Sequence, residues 1–284
     1  MNRDLIVTAD DYGLCESVNG AINACLEAGT LRSTCVMTNM PAYRDASHLR
    51  AAFPTMSVGI HWTMTQGRPV LAPSAVPTLV DSNGSFYSRS QFRQRWLANQ
   101  VAKPELKAEL RAQYQRLCEV AGQPEFWNTH QDIHMLPGLF QTCVSLGLEL
   151  SIPAMRCHRR IMVFRNDTAA RYYLRHLGFW AKGRVLANWF RRAEAQGMRM
   201  PDGKVYPRGY GMSRPDVEEA ISRLPWNAIK RAPELTIHPA TAIEQGLMLT
   251  LKETRIQEYQ VFADPGLTER LHQLGVRIVG FGGL

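Results

Sequence analysis

Leu5-Ile6-Val7-Thr8-Ala9-Asp10-Asp11-Tyr12-Gly13 is an unbroken apolar run that ends on two adjacent acids and a glycine. A run this short, with β-branched residues at its centre, reads as a strand buried on both faces, as in parallel sheets. Helical spacing follows from Val18 to Ala28 and stops at Gly29. The same strand-then-helix unit recurs along the chain. Ser33 to Thr38 reads as a strand before a helix over Ala42 to Ala52, and Met56 to His61 as a third strand. Lys103 to Ala121 has strong helical composition. Phe126 to His130 is strand-like, and a helix from Gly138 to Leu146 stops at Gly147 before a strand near Leu150 to Met155. Glu234 to His238 and Val276 to Phe281 are the last strands. Repeated units of this kind imply an α/β fold with a mainly parallel sheet and outer helices. Seven or so strands within 284 residues favour a (β/α) barrel over an open sheet.

One domain is therefore expected over residues 1–284. The stretch at about 159–210 fits the alternation worst and reads as a basic, aromatic-rich insertion or cap. The start, Met1-Asn2-Arg3-Asp4, leads straight into the first strand and offers no leader-like apolar region. No apolar run reaches the roughly 18 residues of a membrane-spanning helix. The six cysteines are scattered without a Cys-x-x-Cys pair, as in a reduced, cytoplasmic protein.

Asp10, Asp11, His61, His130, Arg156 and His238 each fall at or just past the C-terminal end of an expected strand. In a parallel barrel those ends meet on one face, where barrel enzymes carry their chemistry. The two adjacent carboxylates would converge only if the strand breaks, and Gly13 is the residue expected to break it. A cation removes the repulsion between close carboxylates; an Asx turn or a cap for the following helix is the plainer alternative. One Asp with two His makes a ligand set with open positions, suited to Zn²⁺ or another divalent ion. The neighbouring Asp can then act as general base toward water. His238 is placed to protonate a leaving amine, or to serve as a core or capping histidine. Arg156 is placed to hold Asp10 ionised, or belongs to the basic segment.

His130 and His134 stand four apart in Asn128-Thr129-His130-Gln131-Asp132-Ile133-His134-Met135-Leu136-Pro137, which reads as a loop rather than a helix because of the flanking strand and Pro137. Only one of the two then needs to reach a metal. His134, Asp132 and Trp62 are candidate substrate contacts. Asp132 could instead orient an imidazole, and Trp62 is either a sugar-stacking platform or a core residue.

Four ordered motifs carry a resemblance. Leu5 to Leu14, Gly59-Ile60-His61-Trp62-Thr63-Met64-Thr65-Gln66-Gly67-Arg68-Pro69-Val70, His130 to Pro137 and Glu234 to Pro239 resemble motifs of the YdjC-like carbohydrate deacetylases, the ChbG/HpnK family. The resemblance implies a distorted (β/α) barrel related to the polysaccharide deacetylases and removal of an N-acetyl group from a sugar. It implies Asp11, His61 and His130 as metal ligands, Asp10 as base and His238 as acid, with Mg²⁺ or Zn²⁺ as the ion. The chain departs from the family's third motif at Asn128, Gln131 and Asp132, which puts the substrate in doubt more than the reaction.

The charge of +8 is uneven. Residues 156–208 hold 13 Lys or Arg against three acids, so that segment is +10 and the rest −2. Aromatics interleave with these cations: Tyr172, Tyr173, Phe179, Trp180, Trp189 and Phe190. The mixture suits an anionic partner, so a phosphate- or lipid-linked sugar, a diphosphate-linked substrate or an anionic membrane surface is expected, with the protein peripheral to the inner membrane in the last case. A cap helix with a solvated basic face is the plain alternative. A non-catalytic barrel binding anionic glycan, lipid headgroup or nucleic acid through 156–208 is the competing function. For the enzyme reading no nucleic acid is expected, and a homodimer is left open.

Overall fold

The computed structural model describes residues 3–165, 177–244 and 252–284. Among the described residues nine strands form one sheet: β1 (Arg3–Tyr12), β2 (Ser33–Val36), β3 (Ser57–Trp62), β4 (Phe126–Thr129), β5 (Ala154–Met155), β6 (Arg160–Phe164), β7 (Lys204–Arg208), β8 (Glu234–Ile237) and β9 (Val276–Val279). Every pairing among them is parallel, in the order β5-β4-β3-β2-β1-β8-β7-β6. β1 is long enough to share one edge between two neighbours: Arg3–Ile6 pairs with β9 and Ile6–Ala9 with β8. Beyond β5 there is only an isolated parallel bridge from Ala154 to Arg199, in the segment before β7, where the Met155 amide donates to the Arg199 carbonyl over 2.9 Å. The result is an α/β fold whose parallel sheet curls into a distorted, partial barrel, with no strand pair between β5 and β6 among the described residues.

The core follows from the patterns in the sequence. Leu5, Ile6, Val7 and Ala9 are fully buried, as a strand covered on both faces requires. Helix Glu16–Glu27 turns Val18, Ile22 and Cys25 inward at helical spacing. Helix Lys103–Ala121 has the expected bounds, begins with Pro104 in its first turn and ends at Gly122, whose φ of +76° is readily adopted by glycine. Its Leu106, Leu110 and Leu117 are buried. Its Gln113 grips the chain after β3: the amide oxygen accepts from the Thr63 N–H (2.9 Å) and the amide nitrogen donates to the Thr63 carbonyl (2.6 Å). Among the described residues no helix is long and apolar enough to cross a membrane. All six cysteines are unpaired.

Three local expectations differ from the structure. Ala42 to Ala52 is a 3₁₀ turn, Tyr43–His48, running into the single helical turn Leu49–Ala52. The helix expected to stop at Gly147 continues as Leu139–Glu149, and the left-handed Ser151 (φ +56°) leaves only two residues for β5. The stretch at 159–210 is not all insertion. Its ends, Arg160–Phe164 and Lys204–Arg208, are strands of the sheet, paired in register from Arg160 with Lys204 to Phe164 with Arg208. Helix Leu177–Ala195 lies between them. Tyr172, Tyr173, Arg171 and Arg175 fall outside the described residues.

Several cations of that segment are engaged internally. Arg156 is fully buried, Arg159 pairs with Glu194, and Arg165 pairs with Asp216 (2.6 Å) and Glu219 (3.5 Å). The free positive field is smaller than the count of charges suggests.

Candidate active site and metal centre

The site begins at a break in β1. The register with β2 shifts between Ala9 and Tyr12, and Asp11 takes φ +72°. Aspartate is one of the few side chains that enters this region at modest cost. The break therefore lies at Asp11 itself and not at Gly13, and it turns successive side chains to one side of the sheet. Gly13 (φ +92°) has a different task. A Cβ there would stand 3.0 Å from the Met37 carbonyl oxygen and the Tyr43 Cα, so the chain can pass only without one. Neither acid caps the next helix, whose N-cap is Cys15.

Asp11 gathers one set of partners. Its Oδ1 lies 3.3 Å from His61 Nε2, at the end of β3, and 3.1 Å from His130 Nδ1, just after β4. Its Oδ2 accepts from Arg255 of helix Lys252–Phe262. All three ligand-type side chains are buried. The far nitrogens of both rings are already engaged. His61 Nδ1 meets Asn128 Oδ1, with Cys35 Sγ at 3.2 Å, and His130 Nε2 meets Gln66 Oε1 at 2.8 Å. Asn128 donates through Nδ2 to Asp10 (3.2 Å), which orients its oxygen toward His61. With an ion bound, each ring would give its remaining proton to an amide oxygen and leave the nitrogen beside Asp11 to the ion. Two ring nitrogens and a carboxylate oxygen converge on one point, where shared protons or a cation must hold them together. This set fits a divalent ion, and two nitrogens with one oxygen suit Zn²⁺ well.

Asp10 gathers a different set. Arg156 grips it with two hydrogen bonds, Nη1 to Oδ2 at 2.6 Å and Nη2 to Oδ1 at 2.7 Å. The same guanidinium binds Glu234 through Nε (3.0 Å) and Nη2 (2.9 Å). The Cys35 thiol donates to Asp10 Oδ1 at 3.1 Å. His238 Nε2 stands 3.6 Å from Asp10 Oδ2. Burial alone would raise the proton affinity of Asp10, but Arg156, with His61 and His238, outweighs it and holds the carboxyl well below the usual range. Burial pushes Cys35 up to about 11, so it stays a thiol and a donor. Asp10, Cys35 and His61 also lie close enough to hold an ion together. They do not suit one: the thiol keeps its proton, the carboxylate is filled with donors, and Arg156 adds a positive charge.

Burial lowers His238 to about 4, against the pull of Asp10, so it is neutral at neutral pH. Its backbone N–H donates to Glu258, a carboxyl that burial raises to about 7. Arg255 and Glu258 sit one helical turn apart, so one helix supports both Asp11 and the His238 loop. The cleft above is lined by Asp10, Asp11, His61, His130 and His238, with Arg89, Gln131, Asp132 and Lys204 completing its wall.

Asp10, Asp11, His61, His130, Arg156 and His238 are thus brought together. Asp132 also faces the cleft, 3.5 Å from His158 and 4.0 Å from Lys204, so the imidazole it meets is His158 and not His130. Two candidate contacts are placed elsewhere. Trp62 is fully buried, packs on Trp127 and donates its indole N–H to the Leu110 carbonyl (3.0 Å); it points away from His61 because adjacent strand residues face opposite sides. It is a core residue and cannot stack on a sugar. His134 is also fully buried, with Nδ1 2.6 Å from Thr129 Oγ1 and its ring against Trp127 and Phe140. The left-handed pair Gln131 (φ +57°) and Asp132 (φ +53°) reverses the chain between the two histidines and sends them opposite ways.

The sequence reading did not single out Cys35, Arg89, Lys204, Glu234, Arg255 or Glu258 as site residues. Glu234 and Gln66 lie within quoted motifs and were within reach. Arg255 and Glu258 give no signal, because opposite charges three apart read as a solvated helix face.

Comparison with known proteins places the chain in a family. Residues 4–273 match the family described as YdjC-like protein. Chitooligosaccharide deacetylases of Yersinia pestis (strain Pestoides F) and Yersinia pseudotuberculosis serotype O:1b (strain IP 31758) are each 28% identical over 283 residues, covering 99% of this chain and 99% of theirs. Among solved structures, a "putative cellobiose-phosphate cleavage protein" of Enterococcus faecalis V583 superposes with a TM-score of 0.75 at 21% identity, covering 99% of this chain and 98% of that one. That likeness speaks to a shared fold.

Proposed function

The chain belongs to the YdjC-like protein family, and from that premise we propose that it is a metal-dependent hydrolase that removes the N-acetyl group of an N-acetylated sugar. The observation that carries the reading is the pair of imidazole nitrogens gathered on Asp11 Oδ1, beside a second carboxylate locked by Arg156, at the base of a polar cleft. The full-length relatives named chitooligosaccharide deacetylase point to N-acetylated chito-oligosaccharides as the substrate class. Arg89 and Lys204 in the cleft wall favour a form that carries phosphate or a diphosphate-linked group.

In this reading Asp11, His61 and His130 hold Zn²⁺ or Mg²⁺. When bound, the ion acts as a Lewis acid that polarises the acetyl carbonyl and makes water easier to deprotonate. Asp10 takes the proton from water at Oδ2, the oxygen nearest His238. Arg156 keeps Asp10 ionised and fixes its angle. A base held so far below neutrality retains a proton poorly, and His238 Nε2 is 3.6 Å from that oxygen. The proton therefore passes to His238, which delivers it to the leaving amine. A histidine lowered to about 4 carries no proton of its own at neutral pH, so this supply from Asp10 is what lets it act as an acid. The competing binding-protein reading has less support, since Arg156, Arg159 and Arg165 are engaged within the protein.

The test is acetate release from N-acetylated chito-oligosaccharides, free and phosphorylated, with Zn²⁺ or Mg²⁺ added. Release by the unaltered chain and its loss in Asp10→Asn supports the proposal. No release from any of these substrates with either ion sinks it.

A further inference from the structure

We propose that Gln131 and Asp132 form a specificity-determining corner of the cleft that accepts hydrogen bonds from sugar hydroxyl groups, with Lys204 holding the carboxylate in place. This rests on the reading of the cleft as the seat of an N-acetylated sugar given above.

The corner is built at a cost to the backbone. Gln131 (φ +57°) and Asp132 (φ +53°) are successive left-handed residues, a region that aspartate enters at modest cost and glutamine at more. The turn puts both side chains in the wall of the cleft. Hydrogen-bond acceptors are left over there. Gln131 Oε1 is buried and meets no donor of the protein among the described residues. Asp132 keeps 39% of its side chain exposed, and its oxygens lie 3.5 Å from His158 Nε2 and 4.0 Å from Lys204 Nζ, both longer than a firm hydrogen bond. The other two carboxylates of the cleft are spent on donors of the protein: Asp10 accepts from Arg156, Cys35 and Asn128, and Asp11 from Arg255.

A buried acceptor without a donor, next to a carboxylate with acceptor capacity to spare, calls for donors from a ligand. Charge decides their kind. Burial lowers His158 to about 4, so the ring is neutral and the corner carries one negative charge on Asp132 and one positive on Lys204. Without net charge it favours a neutral donor over an ammonium, and hydroxyl groups are the neutral donors a saccharide offers in number. Lys204 has three N–H groups, so it can steady Asp132 and still donate to a sugar or phosphate oxygen. Removing the Asp132 carboxylate therefore does two things: the hydroxyl loses its acceptor, and Lys204 is left with its charge uncountered. A neutral sugar then binds worse, and a phosphorylated one loses less. A side chain that merely steadied the turn after His130 would move ion binding and kcat instead.

The experiment measures kcat and KM for acetate release by the Zn²⁺-loaded full chain from a neutral N-acetylated chito-oligosaccharide, its phosphorylated form and its monodeoxy analogues. Zn²⁺ affinity by chelator competition and circular dichroism accompany each variant. Asp132→Ala should raise KM for the neutral sugar by about 10–100-fold, with kcat and the Zn²⁺ dissociation constant within about threefold. Its preference for the phosphorylated form over the neutral one should rise by about fivefold. Gln131→Ala should raise KM by about 3–10-fold. One monodeoxy analogue should be a poor substrate for the unaltered chain, yet no poorer than the parent sugar for Asp132→Ala. An unchanged KM, a fall in kcat or Zn²⁺ affinity as large as the rise in KM, or a deoxy penalty of equal size in both proteins overturns the proposal. If Asp132→Ala does not fold, Asp132→Asn serves instead: it keeps one acceptor and loses the charge, so KM and the phosphate preference should both rise, and constancy of both counts against the idea. Calorimetric binding of the neutral sugar to Asp10→Asn, with and without Asp132→Ala, reads the corner without turnover. If the unaltered chain releases no acetate but Asp10→Asn binds the sugar, the deacetylase reading alone falls, and the change in dissociation constant still decides on the corner. If the sugar is not bound at all, both fall.

Discussion

Asp10 and Asp11 are neighbours of the same residue type, both buried, at the end of one strand, yet the fold treats them in opposite ways. Asp11 faces two imidazole nitrogens and one guanidinium. Asp10 faces a bidentate guanidinium, a thiol and an amide N–H. In the first, Arg255 reaches only Oδ2, so Oδ1, between the two imidazoles, is the place that invites a cation. The second already holds one in Arg156 and has no place for another. Chemical role here is set by the partners each carboxylate meets, and a single left-handed residue decides which partners those are.

The largest expected effects come from exchanging one carboxylate at a time. Asp10→Asn should lower kcat by about 10²–10⁴-fold with Zn²⁺ retained. Asp11→Asn should abolish activity through loss of the ion. Steady-state kinetics with and without added metal separates the two cases, and recovery of Asp11→Asn by excess Zn²⁺ alone would blur the contrast. Next is the charge network under Asp10. Arg156→Met leaves Asp10 and Glu234 buried without their shared cation and should destabilise the fold by about 3–5 kcal/mol, read by denaturant unfolding. A variant as stable as the original would mean that Arg156 serves the chemistry only.

A smaller effect concerns pH. His158 and His238 are lowered by burial from 6.5 to about 4, while the unfolded chain takes up protons near 6.5. Between those values the unfolded state binds more protons, so stability rises with pH across that window and is fully present above it. Unfolding followed from pH 7 to pH 4 should show a progressive loss, reduced in His158→Gln. A flat profile would mean that these rings are not buried neutral. The smallest expected effect on function is at Trp62. Trp62→Phe removes the bond to the Leu110 carbonyl and should lower thermal stability with KM within about twofold, because a core residue does not touch substrate.

The fold was legible wherever a strand carried its own signal. Leu5 to Ala9 and Val58 to Ile60 are apolar throughout, and helix Lys103–Ala121 matched its expected bounds. β7 was missed because Lys204-Val205-Tyr206-Pro207-Arg208 mixes charge and proline into a strand that leans on one neighbour for most of its length, whereas the apolar run Ile161 to Phe164 of β6 was within reach. The site was legible as far as strand ends predict which side chains meet, which covers Asp10, Asp11, His61, His130, Arg156 and His238. Sequence spacing failed where local backbone turned the side chain. Trp62 alternates away from its neighbour His61, and the left-handed Gln131–Asp132 pair separates His134 from His130. Arg255 and Glu258 arrive from a helix more than 240 residues after Asp11, where no local pattern marks them.

The division of labour between the two acids is tested most directly by the metal content of three purified proteins. After equilibration with Zn²⁺ and removal of the excess, the unaltered chain and Asp10→Asn should each retain about one ion per chain. Asp11→Asn should retain none under the same conditions. Equal loss in both variants, or an ion retained by Asp11→Asn and lost by Asp10→Asn, would contradict the account.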